Sequence, residues 1–238
     1  MLKTLKEDIQ TVFAKDPAAR SVAEVILCYS GLHAIWLHRL AHFLWRHRFR
    51  LLARLLSQIN RFLTHIEIHP AAKIGQRFFI DHGAGVVIGE TSEIGNDVLM
   101  YQGVVLGGTT LEKKKRHPTI GNNVVMGTGA VALGAITIGD GARIGSGSVV
   151  IKSVPPRATV VGIPGRIVED RHKPFLELEH GKLPDPVAEA IRLVLKEQGG
   201  IEERLRRLEN LSGLVVPKDE LKDRRRKMVR EFSQGGGI

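Results

Sequence analysis

The chain of 238 residues carries 35 Lys and Arg against 25 Asp and Glu, a formal charge of +10, and one cysteine, Cys28. A single thiol excludes an intrachain disulfide framework, and no run of about 18 apolar residues exists to span a bilayer. Met1–Gln10 mixes charges without the apolar stretch of a secretory leader, so the expected location is the cytoplasm, with no membrane and no nucleic acid as partner.

Residues 1–66 read as helical. Leu37, Leu40 and Leu44, then Leu51, Leu52, Leu55, Leu56 and Ile59, recur at three- and four-residue spacings. Between Val25 and Ile66 stand six arginines and no acid, a pattern shared by membrane-surface helices. The reading preferred here is an amphipathic helix that packs its leucines on the protein and leaves its arginines in water. Cys28, among Ile26, Leu27 and Tyr29, has no activating base beside it and is expected to be a buried packing residue.

From Ile68 the period becomes six. Aliphatic residues stand at Ile68, Ile74 and Ile80, after a two-residue slip at Ile88, Ile94, Met100 and Leu106, and after a longer interruption from Ile120 to Val150. Gly often follows directly (Gly75, Gly89, Gly95, Gly121), and a small residue often stands four places on (Ala72, Ser92, Ala130, Ala142). Such a repeat makes one short strand and one corner per hexad, and three hexads close a coil on an aliphatic stack. The interruption, GTTLEKKKRHP at 108–118, is too polar to enter the stack and should loop out of one corner. Beyond Pro155-Pro156 the repeat stops; two helical patterns follow, around Pro186–Gln198 and Glu202–Leu211, then a tail ending SQGGGI. The expected class is α+β: a helical region at 1–66, a parallel β-helix at 67–168, and a helical extension with a flexible tail at 169–238.

Two histidines interrupt the repeat in polar settings. His82 follows Asp81 at the slip, and His117 follows Arg116 at the end of the loop. Glu67 precedes the first hexad, so a coil of about 18 residues would stack it beneath His82, where a carboxylate orients an imidazole. Solvated corner histidines are an equal alternative. A zinc site from His65, His69, His82 and His117 is a lesser one, and no metal is expected.

The segments IEIHPAAKIG (66–75), IDHGAGVVIGE (80–90), LGGTT (106–110), RHPTIG (116–121), the run 129–150, VPPRATVVGIPGRIV (154–168) and DPAAR (16–20) resemble the serine acetyltransferases of cysteine biosynthesis. The resemblance implies a left-handed β-helix and transfer of acetyl from acetyl-CoA, a co-substrate rather than a tightly bound cofactor, to L-serine. It makes His82 the general base and Glu67, commonly Asp in the family, the carboxylate that orients it. Asp16 and Asp81 would hold the substrate amino group, and Arg116 and His117 its carboxylate. Gly108, Thr128 and Arg143 would lie along CoA. It further implies a homotrimer or a dimer of trimers, feedback inhibition by L-cysteine, and insertion of the terminal Ile238 into O-acetylserine sulfhydrylase. An acetyltransferase for another acceptor, a non-catalytic scaffold and a zinc-dependent carbonic anhydrase are the competing readings.

Overall fold

The computed structural model describes residues 2–168 and 186–212. The chain divides into two compact units, Met1–Pro184 and Asp185–Ile238. The first opens with four helices: α1 (Leu2–Lys15), α2 (Val22–Cys28), α3 (Ser30–Arg46) and α4 (Arg50–Thr64). Ser21 caps α2 through a bond from the Glu24 amide to its hydroxyl. Buried Asp8 accepts bonds from Trp36 and Arg39, which fastens α1 to α3.

Short strands then visit three sheets in rotation. The first sheet holds β1 (Glu67–Ile68), β4 (Val87–Ile88), β7 (Val105–Gly107), β10 (Val131–Leu133) and β13 (Val149–Val150). The second holds β2 (Lys73–Ile74), β5 (Glu93–Ile94), β8 (Thr119–Ile120) and β11 (Thr137–Ile138). The third holds β3 (Phe79–Ile80), β6 (Leu99–Met100), β9 (Val125–Met126), β12 (Arg143–Ile144), β14 (Thr159–Val161) and the antiparallel β15 (Arg166–Val168). All other pairs are parallel, each strand bonding to the one a coil away.

The hexad residues form the interior: Ile68, Ile80, Ile88, Met100, Leu106, Ile120, Met126, Ile138 and Ile144 are almost fully buried, with Ala72, Ser92, Ala130, Ala142 and Ser148 in the same column system. Each large aliphatic side chain so buried contributes roughly 1.5–3 kcal/mol of transfer free energy.

The three outer faces differ. The first sheet carries a ladder of half-buried valines, with Val87 in register with Val105, and Val131 with Val105 and Val149. The second carries polar side chains, with Lys73 paired to Glu93 at 2.8 Å. On the third, Phe79, Leu99, Tyr101 and Val125 pack under Val12, Val25 and Leu32 of the helices.

Two expectations fail in the helical region. The α4 face that turns inward is Ala53, Ser57, Asn60 and Thr64, while Leu51, Leu52, Leu55, Ile59, Phe62 and Leu63 are exposed. The reason is that α4 packs on α3 and on β1, and the polar side chains of that face serve a backbone carbonyl of each. Ser57 donates to the Ile68 carbonyl at 2.7 Å and Asn60 to that of Ala34 at 2.9 Å. Cys28, expected to be buried, is exposed at the end of α2.

In the second unit the two helical patterns are one helix, α5 (Pro186–Ser212), which runs through Gly199 and Gly200. The tail with Ile238 lies outside the described residues.

Candidate active site

The predicted residues gather at two different corners of the coil stack. The first corner joins the third sheet to the first. Here Asp81 and His82 follow β3, and His82 adopts a left-handed backbone with φ +59. The DHG glycine is needed twice over: Gly83 has φ +79, and a Cβ there would stand 2.5 Å from Ile66 Cδ1. The His82 side chain is 71% exposed, its Nε2 3.9 Å from the Asp81 carboxylate, and no hydrogen bond reaches its ring among the described residues.

Asp16, at the end of α1, is drawn to the same place by Tyr29, whose phenol donates to its Oδ2 at 2.6 Å. Partial burial, reinforced by Asp16 and by the charges of Glu24 and Asp81, pushes the Tyr29 hydroxyl up, which keeps it a donor. The next residue, Ser30, donates to the His82 carbonyl at 3.3 Å. The link between α2 and α3 therefore ties Asp16 to the DHG corner. Thr128 is exposed on this corner two coils further along, and Arg143 is half-buried on the third sheet.

Register corrects the expected Glu67–His82 stack. The first coil is lengthened by the two-residue slip, so Glu67 pairs with Val87, five positions beyond His82. Its carboxylate meets Arg61 at 3.3 Å.

The second corner joins the first sheet to the second, and the 108–118 loop leaves from it. His117 is buried and packs flat on Gly89, where any Cβ would collide with the ring at 2.0 Å. Thr91 organises this corner. Its Oγ1 accepts from the amides of Arg116 and His117, both at 3.0 Å, which leaves its own proton for His117 Nδ1 at 2.9 Å. The Thr91 amide also points at Nδ1, at 3.2 Å. A nitrogen that accepts twice is unprotonated, so the neutral ring carries its proton on Nε2, on the side of Gly108. Burial, then the Arg116 charge, lowers the His117 pKa and keeps the ring neutral.

Arg116 binds Glu90 at 2.5 Å. Burial opposes ionisation of Glu90, but Arg116, His69 and His117 hold its carboxyl below the usual range. His69 is pushed down to about 4 by burial and by Arg54, His117 and Arg116, with Glu90 opposing. Tyr29, Thr91 and Glu90 went unassigned in the sequence and His69 entered only as a possible zinc ligand; the position of Glu90 and Thr91 after Ile88-Gly89, one coil before the loop, was the one hint of a role. Among the described residues no group of three or more His, Cys, Asp or Glu side chains could hold a metal ion. No helix among them is long and apolar enough to cross a membrane.

Known proteins show the family. A serine acetyltransferase of Bacillus subtilis is 58% identical over 211 residues, covering 87% of this chain and 97% of its own. Another, from Synechococcus elongatus, is 46% identical over 244 residues and the full length of both. The chain belongs to the serine acetyltransferase family. It is thus an acyltransferase that acetylates serine, with acetyl-CoA as co-substrate. Among solved structures, the serine acetyltransferase of Vibrio cholerae matches with a TM-score of 0.68 at 42% identity, over 70% of this chain and 64% of that one, just under two thirds. The Brucella abortus enzyme in complex with coenzyme A matches with a TM-score of 0.68 at 41% identity, over 70% of this chain and 67% of that one. A serine acetyltransferase in complex with cysteine matches with a TM-score of 0.69 at 43% identity, over 71% and 70%. No family model matches the chain.

Proposed function

We propose that one serine site is built from two copies of this chain, the His82 corner of one facing the Arg116–His117 corner of its neighbour. The observation that carries this reading is the separation of the two receptors. The carboxylates Asp16 and Asp81 suit an ammonium and sit at the first corner; Arg116 and the Nε2–H of His117 suit a carboxylate and sit at the second. An amino acid needs both. The ladder of Val87, Val105, Val131 and Val149 on the face between the corners supports contact between copies. The assembly is a trimer of parallel, left-handed β-helices, with domains at 1–66, 67–168 and 169–238. The uncovered apolar side of α4 supports joining two trimers into a hexamer.

In this site His82 takes the serine hydroxyl proton as the oxygen attacks the thioester carbonyl of acetyl-CoA. The tetrahedral oxyanion collapses, the C–S bond breaks, and the imidazolium returns the proton to the departing CoA thiolate. Its exposed ring, with no hydrogen bond of its own, is available for both steps. Glu67, which meets Arg61 in the single chain, has to leave that partner to orient the imidazole once serine is bound. CoA lies along Gly108, Thr128 and Arg143 in the groove between copies. Transfer is direct, because Cys28 and the serines among the described residues lack a base partner.

L-Cysteine carries the same ammonium and carboxylate as serine and inhibits by filling the same receptors, in the cytoplasm, where the thiol stays reduced. The terminal Ile238 enters O-acetylserine sulfhydrylase as a carboxylate-and-side-chain plug. His82→Ala tests the base: serine-dependent release of free CoA should collapse while the mass of the assembly is unchanged. Near-normal release would remove His82 from the role. Deleting Ile238 should abolish the complex with the sulfhydrylase and spare acetyl transfer; unchanged binding would refute the plug.

A further inference from the structure

The helix α5 supplies none of the residues assigned to the site, and one stripe along it, five aliphatic residues and Gln198, keeps a strict spacing, with Leu193, Leu195 and Leu211 off it. Ile191, Val194, Gln198, Ile201, Leu205 and Leu208 are separated by three, four, three, four and three residues. That is a period of 3.5, the spacing that keeps one stripe facing a partner helix through a left-handed supercoil. A helix packed on a globular core has a broader, less strict stripe. All the aliphatic members of the stripe are exposed in the single chain, Val194 and Leu208 each to 62%.

From these spacings we infer that the α5 helices of three copies form a parallel coiled coil, a second tie between the subunits of the trimer proposed above, on which the inference rests. In heptad terms Ile191, Gln198 and Leu205 occupy a, and Val194, Ile201 and Leu208 occupy d. β-Branched Val194 and Ile201 at two of the three d positions depart from the two-stranded pattern of a β-branched a with Leu at d. A parallel, in-register arrangement brings the three Gln198 amides together, where they satisfy one another. An antiparallel pair would instead set each against an aliphatic side chain. Arg204 at g then reaches Glu209 at the e position of the next helix, an attractive pair, while Glu197 meets Glu202 and weakens the heptad before it. The two glycines that would otherwise break the helix, Gly199 and Gly200, fall at b and c on the outer side, where a Cβ would meet nothing. They cost helix propensity, about 1 kcal/mol each, without opening a hole in the seam.

Cross-linking of the full-length protein tests this. Gln198→Cys, and separately the outward Leu193→Cys, are introduced into a Cys28→Ser background and oxidised mildly, with mass measured alongside. The inference predicts an assembly of three chains, or of two such trimers, in which Gln198→Cys links chain to chain at the same position and Leu193→Cys does not. A trimer without the Gln198→Cys link would overturn the coiled coil and leave the shared site standing. A link at both positions would show a face without register and overturn it too. A monomer would overturn the trimer and the coil together. Leu205→Glu in the otherwise unaltered chain should lower the thermal midpoint of the assembly and leave serine acetylation within about twofold of the parent.

Discussion

His82 and His117 are the same side chain, 35 residues apart on one coil stack, and their surroundings give them opposite properties. His82 stands out from a left-handed turn with a free ring. His117 lies against a glycine with its Nδ1 doubly occupied and its pKa lowered by burial and by Arg116. A base must be able to take up a proton and surrender it; a receptor for a carboxylate must hold one proton in a set direction. The contrast is what supports the two proposed roles, and it is consistent with their occupying different corners. The first corner has the helices beside it to supply carboxylates, and the second has the loop to supply cations.

The contrast can be broken at either end. The largest effect is expected from His82→Ala, a loss of about a hundred- to ten-thousandfold in kcat, the usual range for a general base. His117→Gln should keep most of kcat and raise the KM for serine; if the two variants behave alike in steady-state kinetics, the division of roles is wrong.

Acid sharpens the comparison through a third histidine. His38 is buried in α3 with its Nδ1 unpartnered, and burial with the neighbouring charges of His42, Arg39 and His69 lowers its pKa to about 3. The unfolded chain binds its proton near 6.5, so the stability due to the neutral ring is complete above that value and is lost as pH falls toward 3. Thermal melts should show a loss of about 1.5–2 kcal/mol from this group between pH 6.5 and about 5. His38→Leu should flatten that part of the profile; an unchanged slope would place the acid sensitivity elsewhere.

Smaller effects come from the residues that position the two receptors. Thr91→Val removes the hydroxyl that serves both backbone amides and the ring, and should raise the serine KM about tenfold, in line with a net loss near 1.5 kcal/mol, with less change in kcat. A larger fall in kcat than in serine affinity would contradict a positioning role. Tyr29→Phe frees Asp16 and should cost about fivefold in serine KM, roughly 1 kcal/mol for the lost bond.

The repeat was the most legible part of the chain. A six-residue aliphatic period has one structural meaning, so the coils, the extruded loop and the corner positions of His82 and His117 follow from spacing. The slip after Ile80 was visible too, but its consequence was not: two extra residues shift the first coil so that Glu67 meets Val87. The helices were read correctly as helices and wrongly in their facing. Periodicity locates the apolar side of α4 but cannot say that the face against α3 and β1 meets backbone carbonyls, which polar side chains serve better. Tyr29 and Thr91 were hidden for a related reason. Each acts by a hydrogen bond to a group 13 or more residues distant, and only the fold brings those partners together.

The claim on which the rest depends is that each site draws on two copies, and mixing tests it most directly. His82→Ala and Arg116→Ala chains are each expected to be nearly inactive. Co-refolded in equal amounts, they should form assemblies in which some interfaces pair an intact His82 with an intact Arg116. Random assembly around a closed ring gives about a quarter of the sites, and so about a quarter of the parental activity. A mixture no more active than its two components, at the same assembled mass, would mean that both corners serve the same copy.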